Sequence, residues 1–211
     1  MKPFQINQLY IRRSKLKRKL LLHTCCAPCL SQCLMVLGGM DKWEKVLPKK
    51  EDYSITILFD NPNIYPEEEY RKRKSELVKF LKTFSEKFFH VEMLEDQSEK
   101  RRDGFLEFAK KYPLEKEKGT RCTLCYEYRL HETFERAKKE GFDIVATTLT
   151  LSPLKDGDKV NKIGQNLSSS FKIEYLKSNF KKNDGFKKSI ELCKEYKIYR
   201  QNYCGCAFSI R

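Results

Sequence analysis

Residues 19–29 read KLLLHTCCAPC. Three leucines in a row between Lys19 and His23 are too few for a helix, and an unbroken apolar run is the mark of a strand covered on both faces. The run stops at Thr24, cysteines follow at once, and Pro28 is at home in a first helical turn. The stretch predicts strand, cysteine-bearing loop and helix, the opening unit of an α/β fold.

The rest of the chain continues the alternation. SITILFD (54–60) reads as a second buried strand, NPNIYP as a loop, and Pro66 opens a charged helix running to about Glu86. FFHVEML (88–94) predicts a third strand, followed by helices from Glu99 to Tyr112 and from about Cys122 to Glu140, where Gly141 stops the chain turning. DIVATTL (143–149) is a β-branched strand, KIEYLKS (172–178) a short last one, and IELCKEY part of an amphipathic helix. Helices between strands predict a three-layer α/β fold with a mostly parallel sheet. We expect one domain over 19–211, preceded by a basic extension over 1–18. In such sheets ligands gather beyond the carboxyl ends of the strands. Thr24–Cys29, Asp60–Pro66 and Thr147–Asp158 all fall on that rim.

The chain has 211 residues, with 43 Lys and Arg against 29 Asp and Glu, giving a formal charge of +14 that favours a polyanionic partner or reflects a Lys-rich composition alone. Arg12, Arg13, Lys15, Lys17 and Arg18 of the extension suit either phosphate contacts or a solvated arm. No run of about 18 apolar residues is present, so no membrane span is expected. Leu20–Leu22 is too short for the core of a signal peptide, which points to a reducing, cytoplasmic compartment with free thiols.

Nine cysteines in that compartment read as metal or redox residues rather than disulfides. Seven are grouped: Cys25, Cys26 and Cys29 in CCAPC, Cys122 and Cys125 in CTLC, Cys204 and Cys206 in CGC. Cys33 and Cys193 stand alone and suit core packing. C-x-x-C at a helix start lets two thiolates converge, with the helix dipole expected to lower their pKa. Adjacent side chains in extended backbone project oppositely, so Cys25 and Cys26 are expected to diverge and serve different metals. A structural zinc or a [4Fe–4S] cluster takes four ligands, leaving about three sulfurs over. That surplus weighs against a zinc knot in a non-catalytic RNA-binding module. A thiol-based sulfur-transfer or disulfide enzyme is a further alternative.

At CCAPC, NPNIYPEEEYRKR, CTLCYEYRL, TTLTLSP and YRQNYCGC the sequence resembles the QueH family of epoxyqueuosine reductases over most of residues 19–208. The resemblance implies a HUP-like fold (adenine nucleotide alpha-hydrolase-like), a [4Fe–4S] cluster beside a single iron, and reduction of epoxyqueuosine in the anticodon loop of tRNA. It implies no cobalamin, and an electron donor that the sequence does not identify. By position it makes Cys25, Cys26, Cys29, Cys122, Cys125, Cys204 and Cys206 the metal ligands. One division gives Cys25, Cys122, Cys125 and Cys206 to the cluster and Cys26, Cys29 and Cys204 to the lone iron. HTCCAPC also stands where an ATP-using relative would carry a Gly-rich phosphate turn, so ATP is not expected as a cofactor.

Opening an epoxide to an alkene and water needs two electrons and two protons. Asp60, Tyr126 and Tyr203 are the expected catalytic proton donors, with Tyr65 a further tyrosine near the motifs. Asn61 and Asn63 suit either a flipped base or a simple turn, and Arg71 or Arg73 suits phosphate or an i to i+4 charge pair. Arg200 and Gln201 are expected to bind substrate, because they adjoin YCGC.

Overall fold

A computed structural model describes residues 17–41 and 53–210. Arg12, Arg13 and Lys15, candidates for phosphate contacts, lie outside these residues. In chain order the elements are β1 (Arg18–His23), α1 (Ala27–Leu37), β2 (Tyr53–Leu58), α2 (Glu67–Lys87), β3 (Glu92–Leu94) and α3 (Ser98–Ala109). They continue with α4 (Thr120–Glu140), β4 (Ile144–Thr147), α5 (Gly157–Phe171), β5 (Glu174–Tyr175) and α6 (Gly185–Glu195), with 3-10 turns at Thr148–Leu151 and Ala207–Ser209.

The strands form one five-stranded parallel sheet in the order β3-β2-β1-β4-β5. Leu20, Leu21 and Leu22 have no solvent exposure, because β1 is central and both sheet faces are covered. Side chains alternate across a strand, and the core divides accordingly. Leu20 and Leu22 join Ile144 and Ala146 under Leu30, Leu34, Leu77 and Phe84 of α1 and α2. Leu21 and Val145 pack on the other face against Phe134 and Ala137 of α4. This is the three-layer arrangement expected from the alternating pattern, and it is consistent with the HUP-like fold that the resemblance implies.

Several boundaries differ from the sequence reading. FFHVEML is extended only over Glu92–Leu94: the Phe88 N–H closes α2 on the Phe84 carbonyl at 3.0 Å, and the Phe88 and Phe89 rings stack on Phe84 at 4.9 and 5.0 Å. Aromatic packing there takes the side chains that β-propensity would give to a strand. DIVATTL leaves the sheet at Thr147, whose Oγ1 accepts from the Leu149 N–H and starts a 3-10 turn. KIEYLKS pairs only at Glu174–Tyr175. Helix α3 ends at Ala109 rather than Tyr112. The largely polar α5 went unforeseen, although the Asp156 carboxylate caps it by accepting from the Asp158 and Lys159 N–H groups.

From β1 the chain crosses to β2 and β3 on one side, then returns to place β4 on the other. The carboxyl end of β1 is therefore the switch point of the sheet, where loops diverge and leave a crevice. Among the described residues no helix is long and apolar enough to cross a membrane.

Replacing one fully buried leucine of the central strand tests its part in the core. Leu21→Ala is expected to destabilise the fold by about 2–5 kcal/mol, read as a lower midpoint in urea unfolding.

Candidate metal centre

At the switch point β1 runs into Thr24, Cys25 and Cys26. The Thr24 N–H still bonds the Leu58 carbonyl at 2.8 Å, so the strand holds the loop up to its first cysteine. Cys26 is the N-cap of α1, and its extended backbone gives way to helix at Ala27. That bend brings the Cys25 and Cys26 sulfurs to 3.7 Å, and Cys29 completes a buried group in which every sulfur lies within 4.8 Å of the others. The expected divergence of Cys25 and Cys26 does not occur, because the chain changes direction at Cys26 instead of continuing extended. Thr148, from the turn after β4, sets Cys25 from above: its Oγ1 accepts the Cys25 N–H at 3.2 Å and lies 3.5 Å from the sulfur.

The three thiols share protons. Hydrogen bonds from Cys26 and then Cys29 hold Cys25 well below the ordinary thiol range, against the cost of burial. The same sharing, with burial, pushes Cys26 and Cys29 up. Cys122 and Cys125 sit three residues apart in the first turns of α4, on one face. Burial raises both, Cys125 to about 12, with Cys204 and Cys206 adding in the same direction. The expected lowering by a helix N-terminus is therefore overridden by desolvation at α4. All nine cysteines are free.

Cys204 and Cys206 are placed by α2 across a long stretch of sequence. Buried Arg73 pairs with Glu69 at 2.7 Å and donates to the carbonyls of Cys204 at 3.1 Å and Tyr203 at 3.3 Å. The Tyr65 N–H donates to the Gly205 carbonyl at 2.8 Å. Gly205 has φ +132°, and a Cβ there would stand 3.0 Å from Arg73 Nη1 and 3.2 Å from Ile64 Cγ1. Only glycine accepts that backbone without strain.

Beneath the cysteines lies a buried polar layer. Asn61 donates from Nδ2 to the Thr24 carbonyl at 2.9 Å and accepts from Arg129 on α4. Asp60 is fully buried and ion-paired with Arg101, and burial raises its pKa against that partner. His23 bonds Thr147 Oγ1 at 2.9 Å, and burial with the Arg129 charge lowers its pKa to about 3, so it is neutral. Tyr126 is buried beside Cys122. Arg71 makes an i to i+4 pair with Glu67 and points outward.

A cavity of about 300 Å³ opens over the group. Cys25, Cys29 and Cys204 line it with Lys155, Arg200, Gln201 and Tyr203. Gln201 donates to the Cys26 sulfur at 3.0 Å, while its Oε1, like Asn63 Oδ1, is buried without a protein partner. Arg200 is exposed, near the Phe186 ring. Tyr203 donates its hydroxyl to the Tyr65 carbonyl. Of the expected site residues, Cys25, Cys29, Cys204, Arg200, Gln201 and Tyr203 meet at this cavity, whereas Asp60, Asn61, Arg71 and Tyr126 do not line it. Lys155 and Arg129 were not foreseen as site residues, whereas Arg73, expected to offer itself to phosphate, instead turns inward to Glu69 and the carbonyls of Tyr203 and Cys204. Lys155 follows TTLTLSP directly, which was the available signal.

The donor set suits a thiophilic metal. Sulfurs held tetrahedrally about 2.3 Å from one ion stand about 3.8 Å apart, and Cys25 and Cys26 already match that spacing. Three sulfurs bordering a cavity resemble an open site more than a closed structural one.

The profile of the family described as Epoxyqueuosine reductase QueH matches residues 20–211. The chain is 38% identical over 194 residues to the Epoxyqueuosine reductase QueH of Staphylococcus epidermidis, covering 90% of this chain and 76% of that protein. Its counterpart in Staphylococcus aureus is 36% identical over 200 residues, covering 93% and 78%. The protein of the same name in Thermotoga maritima is 32% identical over 190 residues, covering 90% and 89%.

The clamp on the CGC segment yields a test. Gly205→Ala is expected to lower the metal bound per chain, measured by elemental analysis after anaerobic loading, with little change in far-UV circular dichroism. Unaltered metal content would show that the Gly205 backbone does not position Cys204 and Cys206.

Proposed function

The chain belongs to the epoxyqueuosine reductase QueH family, and we propose that it converts epoxyqueuosine to queuosine in the anticodon loop of tRNA, the last step of queuosine biosynthesis. The observation that carries the reading is the convergence of Cys25, Cys26 and Cys29 beside a cavity at the switch point of the sheet. The reaction takes up two electrons and two protons, breaks both C–O bonds of the epoxide, and gives an alkene and water.

Among the described residues Cys25, Cys26 and Cys29 are the sulfurs that stand together as one group. Cys25, Cys26 and Cys29 are assigned to a single iron, and Cys122, Cys125, Cys204 and Cys206 to a [4Fe–4S] cluster, which exchanges Cys25 and Cys204 relative to the division expected from the sequence. When bound, such a centre supplies electrons one at a time together with a Lewis-acidic iron. Neither cobalamin nor ATP enters this scheme.

The chain's own residues hold substrate and protons. Burial raises the Tyr203 pKa against the opposing Arg73 charge, so the hydroxyl keeps its proton at neutral pH. From the cavity wall it is assigned to protonate the departing oxygen. Gln201 is fixed by its bond to Cys26, which leaves Oε1 to accept a hydroxyl of the substrate ring. Asn63 Oδ1 offers a second acceptor. Arg200 at the mouth, and Arg71 farther out, suit backbone phosphates. Asp60, Asn61 and Tyr126 are assigned to supporting the loop, Asn61 by holding the Thr24 carbonyl. The reading carries with it a reducing, cytoplasmic setting, in keeping with nine free thiols.

Measuring iron and sulfide per chain, with conversion of epoxyqueuosine-containing tRNA under a chemical reductant, tests the proposal. Iron, acid-labile sulfide and queuosine are expected together; a colourless zinc protein without conversion would favour a non-catalytic RNA-binding module. Tyr203→Phe is expected to lower kcat by about 10²–10⁴-fold at unchanged iron content. Affinity for tRNA is expected to fall as salt rises, and Arg200→Ala to reduce the slope of log K against log salt by about 1.

A further inference from the structure

Arg129 and Lys155 are only 1% and 6% exposed. Buried Arg73 has the Glu69 carboxylate, and the partly buried Arg101 has Asp60. Arg121 donates from Nη1 to the carbonyls of Tyr112 and Pro113 and lies over the Phe208 ring, while its Nε has no partner. Among the described residues neither Arg129 nor Lys155 makes an ion pair. Arg129 reaches Asn61, and its Nε has no partner.

Burying a cation without a counter-charge is costly, and two like charges close together are worse. These two lie near enough for each to repel the other. Lys155 lines the cavity with Cys25, Cys29 and Cys204, and Arg129 reaches the cysteine-bearing loop through Asn61, which holds the Thr24 carbonyl. Cys25 and Cys204 are thus bracketed by two cations from separate elements, α4 and the segment after the 3-10 turn. Among the described residues Lys155 has no carboxylate partner, and the carboxylate that faces Arg129, Asp60, is already paired with Arg101, so the sulfurs of the site are the remaining groups that can balance the pair. A thiolate-held iron–sulfur centre is an anion that gains negative charge on reduction, and its potential follows the net charge around it.

We propose that Lys155 and Arg129 are resident counter-charges of the metal–thiolate centre that stabilise its reduced state and raise its reduction potential. The inference rests on reading the site as a redox metal centre. Neither residue need touch substrate: both act through the centre and are positioning residues.

The test is a spectroscopic redox titration of the full chain after anaerobic loading with iron and sulfide, for the parent, Lys155→Met, Lys155→Arg and Arg129→Gln. Lys155→Met and Arg129→Gln are expected to shift the one-electron reduction equilibrium at least tenfold toward the oxidised form, about 59 mV more negative. Lys155→Arg is expected to keep the parent's potential. If Lys155→Met fails to load while Lys155→Arg loads and titrates like the parent, the requirement for charge is upheld. Fully loaded Lys155→Met or Arg129→Gln protein with the parent's potential overturns the role of that residue. Failure of both Lys155 variants to load overturns the counter-charge role, because a counter-charge tolerates a change of shape. A parent chain that loads no iron overturns the redox reading itself, and this inference with it.

Discussion

The structure depends on β1 being buried on both faces and ending where its two neighbours lead away in opposite directions. Leu20–Leu22 have no exposure, and the strand is registered against β2 on one side and β4 on the other. Its last hydrogen bond, from Thr24 to the Leu58 carbonyl, therefore fixes where the next residues begin. Cys25 and Cys26 are those residues. A buried strand has little freedom to slip, since a one-residue shift would exchange its two faces. The cysteines inherit that rigidity.

Other elements bring their groups to this fixed point, each by a different device. The turn after β4 brings Thr148, α4 brings Arg129 and two cysteines, and α2 holds the CGC segment through Arg73. Almost all of these contacts are polar and buried, where an unpaired group is expensive and a paired one is geometrically strict. The thiols show the same logic in their protons: one is favoured as thiolate chiefly because two others give up hydrogen bonds to it, with the Lys155 and Arg129 charges adding to the effect. A bound metal would replace those shared protons at little rearrangement, since the Cys25 and Cys26 sulfurs already stand at ligand spacing.

Much of this was legible in the sequence, and the gaps have physical reasons. KLLLH, SITILFD and the Gly141 stop carried strong local signals, and the parallel sheet with helices on both faces followed from the alternation of helix and strand, whereas the strand order did not. FFHVEML misled because its phenylalanines serve the end of α2, a tertiary use that strand propensity does not reveal. Helix α5 carries a sparse apolar stripe of Val160, Ile163, Leu167 and Phe171 among polar residues and glycines, and its packing relies on Gly164, where a Cβ would come within 2.3 Å of the Tyr175 ring. The cysteines were evident from their grouping, but the meeting of Cys25 and Cys26 was not, since it turns on one backbone bend at Cys26. Arg129 and Lys155 looked like ordinary surface cations in a Lys-rich chain. Their burial is a property of the assembled loops and has no sequence period.

The CGC segment has little regular structure of its own. It is secured by Arg73, by Tyr65 and by the bond from Gln201 to Cys26, 175 residues away in sequence. A metal centre joining Cys122 to Cys204 would act as a cross-link closing a loop of about 80 residues, worth about 4–5 kcal/mol in chain entropy. Its occupancy would then govern how often this end of the fold frays, so that supply of the inorganic component sets the lifetime of the polypeptide as well as its chemistry.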